Sequence, residues 1–222
     1  MISIRNKLSG SPTLVRIAPF FIFAALTFFQ GKFGESSRYW IYLIKTVLGA
    51  GMIFAVRPYV QEMRWKISGE AVLAGVVVFA IWVGLDKFYP HLGKTGMLWN
   101  PHQQFGNDSS LAWLFIFFRI VGSSLVVPPL EEVFYRSFVY RYIIRPDFQT
   151  VPLGQFRWGA FVITSTIFGL AHHEWLAGIF CGIIYQGLVC RKKRLGDAMT
   201  AHAITNFLLG LWVTSRNAWN FW

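Results

Sequence analysis

Seven apolar runs recur along the 222 residues, each parted from the next by a short polar stretch. They lie near Leu14–Phe29, Tyr39–Val56, Ala71–Leu85, Leu111–Val127, Gly159–Ala171, Trp175–Cys190 and Ala198–Thr214. A membrane-crossing helix needs about 20 such residues. Several runs are shorter, but tryptophans beside them (Trp40, Trp65, Trp113, Trp158, Trp175) extend them into the interfacial layer. Charged residues make up 14% of the chain, against roughly 25% in soluble domains. So little charge excludes a disordered chain and leaves too little polar surface for an ordinary soluble globule. The expected fold is an all-α, polytopic membrane bundle of seven or eight transmembrane helices, forming one domain over residues 1–222. The count turns on Pro128–Ile144, which either continues the fourth run past a Pro128-Pro129 kink or starts an eighth segment. The first run follows basic residues but precedes no small-residue cleavage site, so a retained anchor is expected rather than a signal peptide.

A net charge of +11 would ordinarily raise the question of nucleic acid. Placement of the charges answers it differently. With seven crossings and the amino terminus inside, 13 of the 21 basic residues fall on inner segments and five on outer ones. The inner set includes Arg16, Arg57, Arg64, Lys66, Arg141, Arg145, Arg157 and the run Arg191-Lys192-Lys193-Arg194; the outer set includes Lys32 and Lys94. This is the positive-inside pattern. It predicts a cytoplasmic amino terminus, a bacterial inner membrane, basic anchors facing anionic lipid, and no nucleic-acid partner. The longest polar stretch, Asp86 to Ser110, is expected to be an outer loop. Cys181 and Cys190, nine residues apart, would lie about 13 Å apart on a helix, too far to bridge.

Ionisable groups inside spans are costly and need a reason. Three clusters qualify: Glu131-Glu132-Val133-Phe134-Tyr135-Arg136, Phe168-Gly169-Leu170-Ala171-His172, and His202-Ala203-Ile204-Thr205-Asn206. Glu132 and Arg136 stand one helical turn apart in the favoured acid-first order, so they should pair. Glu131 points about 100° away and is left to face a cavity. A carboxylate beside a histidine can activate water, and a histidine with an amide can steady an oxyanion. Each cluster also has a plain structural reading: a buried ion pair, a polar turn, or hydrogen-bonding between helices. Arg119 and Lys45 are expected to snorkel or pair, and Gly178 with Gly182 to mark close helix packing.

Taken together, the three clusters resemble the CAAX protease and bacteriocin-processing family, which includes the type II CAAX prenyl endopeptidases. Its motifs EExxxR, FxxxH and HxxxN stand complete and in order at Glu131–Arg136, Phe168–His172 and His202–Asn206. The resemblance covers roughly Leu111 to Leu211. It implies an intramembrane endopeptidase in which Glu131 and His172 activate water, His202 and Asn206 stabilise the oxyanion, and Glu132 with Arg136 support the site. The substrate implied is a membrane-anchored or lipid-modified protein or peptide, entering laterally or from the cytoplasmic side. The short length is also compatible with the related group that accompanies exosortase systems.

The family's glutamate-dependent chemistry favours no metal. No HExxH is present, since His173-Glu174 is followed by Trp175-Leu176-Ala177. Zinc on Glu131, His172 and His202 is the alternative by ligand type. The rival functions are a non-catalytic membrane scaffold or bacteriocin-immunity-type protein, and a small transporter relaying protons through Glu131 and Arg119. The missing pair of broken helices argues against the transporter.

Overall fold

The computed structural model describes residues 11–92 and 98–222. Lys94 of the outer set, and Arg5 and Lys7 ahead of the first run, lie outside the described residues. Helices of 13 residues or more form at all seven apolar runs: α1 Leu14–Phe28, α2 Ser37–Val56, α3 Gly69–Leu85, α5 Ser110–Ile144, α6 Trp158–Leu170, α7 Trp175–Lys192 and α8 Gly196–Arg216. The five-residue α4, Pro101–Phe105, breaks the outer loop; Asn100 Oδ1 caps it by accepting from the amides of His102 and Gln103. Among the described residues there is no β-strand. Three of the helices, α2, α3 and α5, are long and apolar enough to cross a membrane by length and composition, each counted with its short helical extension where one follows; α1 and α6 are shorter apolar helices.

The ambiguous stretch Pro128–Ile144 continues the fourth run. Ser110–Ile144 is one 35-residue helix, with π turns at Gly122–Val126 and Val133–Val139. The prolines explain the first of these. The Val127 amide reaches back five residues to the Gly122 carbonyl, and Pro128 has no amide to offer Ser123. Five residues before a helix bond closes is a wider turn than the usual four, so the chain absorbs the prolines without ending.

Antiparallel helices sort the molecule into two ends. At one end the amino-terminal turn of α1, the α2–α3 loop and the carboxy-terminal part of α5 meet around Glu62. Its carboxylate pairs with Arg16 at 2.8 Å and Arg141 at 3.2 Å and accepts a hydrogen bond from Ser137. The start of α3 joins the α7–α8 turn there: Ser68 caps α3 and donates to Asp197 at 2.6 Å, and Lys192 pairs with Glu70 at 2.6 Å. The α7–α8 basic run is therefore partly neutralised within the protein. The opposite end is aromatic, with Tyr39, Trp99, Phe115 and Trp222 packed together. There the α6–α7 turn is stitched to the segment after α3 through His173, Leu92, Trp175 and Pro90.

Small residues set the closest crossings. A Cβ on Gly178 would lie 2.9 Å from Gly169 Cα, and one on Gly182 would lie 2.9 Å from Ser165 Cα, so α6 and α7 touch backbone to backbone. The GxxxG reading as a packing device is borne out. Cys181 and Cys190 are both free thiols.

Candidate active site

The middle of α5 carries the first cluster, and its local spacing explains the first contact. Arg136 Nε lies 3.2 Å from Glu132 Oε2, with both side chains essentially buried. The guanidinium is poorly aligned for a hydrogen bond and rests instead on the Phe168 ring, 4.1 Å from its centroid. Phe168 is the first residue of the second motif, so the two motifs pack on each other. Its carbonyl, 2.7 Å from His172 Nδ1, also fixes that histidine. A carbonyl only accepts, so Nδ1 donates, and in the neutral imidazole the lone pair is on Nε2. The Trp82 ring meets His172 edge-on at 5.5 Å.

The third motif clasps α5 twice. His202 Nδ1 donates to Glu132 Oε1 at 3.0 Å, and Tyr185 stacks on the same imidazole at 5.3 Å. One turn later Asn206 Nδ2 donates to the Ser123 carbonyl at 2.8 Å. That carbonyl is the one left without a helix donor by Pro128. Glu132 thus has two partners, Arg136 on one oxygen and His202 on the other, where the sequence had suggested the first alone.

Glu131, His172, His202 and Asn206 line one cavity of about 180 Å³. Glu131 Oε2 is buried in it without a hydrogen-bond partner. At about 30 Å³ per water, the space admits several water molecules. The wall also holds Trp82, Ser123, Tyr185 and Trp222. Two further charged residues reach it that the motifs do not include. Glu174, in the α6–α7 turn, lines the cavity, and burial pushes its carboxyl above the usual carboxylate range, partly opposed by His172 and His173. Arg119 lines it as well. Its guanidinium lies against the rings of Tyr42, Trp99 and Trp222. Its signal was present as spacing, since Arg119, Ser123, Val127 and Glu131 recur every four residues, and all four line the cavity.

The candidate zinc ligands Glu131, His172 and His202 share this wall. Among the described residues, however, no three metal-ligating side chains gather closely enough to hold an ion. The inner nitrogen of each histidine is engaged, by Phe168 and by Glu132.

Helical membrane architecture, with a buried, unpaired carboxylate facing histidine in an internal cavity, defines the class: an integral membrane protein with a candidate hydrolytic site. Residues 111–208 match the family profile described as Type II CAAX prenyl endopeptidase Rce1-like. This is the family that the three motifs resemble, and the matched segment runs from the start of α5 into α8 and contains all three. No curated protein and no solved structure shows significant similarity to the chain.

Proposed function

We propose that the protein is an intramembrane endopeptidase that hydrolyses a peptide bond of a membrane-anchored or lipid-modified substrate. The observation that carries this reading is Glu131 Oε2, buried without a partner in a water-sized cavity shared with His172. A lone carboxylate oxygen is costly to bury unless water or substrate completes it. Water held between Glu131 and His172 Nε2 would lose a proton as it attacks the scissile carbonyl. The second N–H of Asn206 would meet the developing oxyanion. His202, on the same wall, would add a donor there when its Nε2 carries a proton.

The basic residues at the Glu62 end support a cytoplasmic position for that end and the start of α1, in a bacterial inner membrane. The cavity runs the other way. From His202, in the second turn of α8, its wall extends to Trp82, His172, Glu174 and Trp222 at the aromatic end. Of the two routes expected from sequence, lateral entry fits the lining better than cytoplasmic entry, and access from the outer side fits it as well.

Reconstituted protein should cleave a panel of membrane-anchored peptides, and Glu131→Gln and His172→Ala should each lower the rate by about 10²- to 10⁴-fold, the range of general-base catalysis. Cleavage that survives both substitutions overturns the mechanism; a wild type that cleaves nothing favours the scaffold reading.

A further inference from the structure

The segment after α8 folds back over the aromatic end of the cavity. Asn217 takes a left-handed conformation (φ 53°), and the Ala218 amide returns to the Val213 carbonyl at 3.0 Å, so the chain reverses at the end of α8. A short 3₁₀ turn at Trp219–Phe221 follows, and Phe221 and Trp222 join the cavity wall with Trp82 and His172. Trp219 is buried, whereas Phe221 and Trp222 are only partly so.

The rest of that wall is tied across elements. His202 and Asn206 bond α8 to α5, Thr205 donates from α8 to the Gly75 carbonyl of α3 at 2.8 Å, and α6 touches α7 backbone to backbone. The α6–α7 turn is bonded to the segment after α3. Residues 218–222 have no such tie: among the described residues their hydrogen bonds are all local, none reaching further than Ala218 to Val213. Ring packing holds them instead. The Trp222 ring lies 5.5 Å from both Trp99 and Trp219, with the Arg119 guanidinium 5.7 Å away, and Trp219 lies 5.7 Å from His102. A segment without hydrogen bonds to its surroundings belongs to the part of a fold that opens at least cost.

Size supplies the need for opening. The closed cavity is about 180 Å³, against about 300–1,000 Å³ for pockets that enclose a small molecule. A peptide extending to both sides of a scissile bond needs more room than this, so some part of the wall must give way.

We propose that residues 218–222 form a gate. Trp219 is its fixed anchor, and Phe221 with Trp222 swing away to admit an apolar segment of substrate, which takes over their share of the wall. This rests on the peptidase reading for what enters, and adds control of entry to it.

The test reads entry alone. Cys181 is a free thiol in the cavity wall, 2% exposed. Its modification by methyl methanethiosulfonate in detergent, followed by mass spectrometry in Cys190→Ser protein, reports how often the cavity opens. A reference thiol, Val189→Cys combined with Cys181→Ala and Cys190→Ser, lies about two turns further along α7, fully buried and outside the cavity. It reports opening of the bundle as a whole. With the gate unaltered, Cys181 should react at least about tenfold faster than the reference. Trp222→Ala should speed Cys181 by about a further tenfold and leave the reference unchanged, with Trp222→Phe in between. Equal rates at the two thiols with the gate unaltered overturn the proposal. So does a Trp222→Ala effect that is absent, or that is the same at both thiols, which is the result if Trp222 merely stabilises the bundle. If Glu131→Gln protein cleaves as fast as wild type, the peptidase reading fails on its own terms, separately from the thiol rates.

Discussion

His202 Nδ1 donates to Glu132 Oε1 across 3.0 Å in a part of the bundle where both residues are at most 5% exposed. The bond joins the third motif to the first and gives Glu132 a partner on each oxygen, Arg136 at 3.2 Å on the other. Removing one member of a buried ionic set leaves the rest uncompensated, at about 3–5 kcal/mol. Glu132→Gln should therefore lower thermal stability in detergent well below that of Glu131→Gln, whose carboxylate faces a cavity. Equal unfolding midpoints for the two variants would contradict this division of roles.

Asn206 caps the Ser123 carbonyl that Pro128 leaves open. Asn206→Ala should cost about 1–3 kcal/mol, the penalty for an unsatisfied buried acceptor. Pro128→Ala returns an amide to α5, so the two substitutions together should cost less than their sum. Strict additivity in a double-mutant cycle would show that the capping account is wrong.

Glu62 binds α1 to α5 through Arg16 and Arg141. Burial alone would raise its carboxyl, but Arg16 and the Ser137 hydroxyl outweigh burial and hold it below the usual carboxylate range. A depressed folded-state value means the stabilisation is complete above the unfolded value, about 4.3, and is lost as pH falls through the folded one. Unfolding midpoints should drop on acidification below about pH 4, and Glu62→Gln should flatten that part of the profile. An unchanged slope in the variant would remove Glu62 from the account.

The two ends should differ in accessibility. In intact bacterial cells, a membrane-impermeant maleimide should label Asn107→Cys, in the loop before α5, without permeabilisation. Gln61→Cys, beside Glu62, should react only after the membrane is opened. The reverse pattern would invert the proposed orientation and place the cavity mouth in the cytoplasm.

Without a converged ligand set, cleavage should persist after chelator treatment and dialysis, with less than a twofold change on the order of ordinary assay scatter. Loss of activity that zinc restores would reinstate Glu131, His172 and His202 as ligands.

Local features of this chain were legible in its sequence because their physics is local. Apolar runs long enough to be helices, the one-turn spacing of Glu132 and Arg136, and the glycines of α7 all act within a few residues or through one face of a helix. The motifs likewise named the residues that share the cavity. By simple counting His172 lies at the far end of its span and Glu131 nearer the basic end, yet both line one cavity, which extends from mid-bundle to the aromatic end. The Arg119 stripe is a related case. On a helix of about 3.6 residues per turn a spacing of four drifts around the surface, and the π turn at Gly122–Val126 takes up the drift.

Contacts between helices were not legible, because no residue pattern says which face meets which neighbour. That His202 spans to Glu132, that Asn206 answers a proline on another helix, and that Arg119 lies among rings from α2, the outer loop and the segment after α8 follow from packing alone. Burial supplies the physical reason: once apolar faces are matched, each enclosed polar group must find its partner wherever the fold leaves one. Glu131 Oε2 is one that the protein leaves unmet beside this cavity.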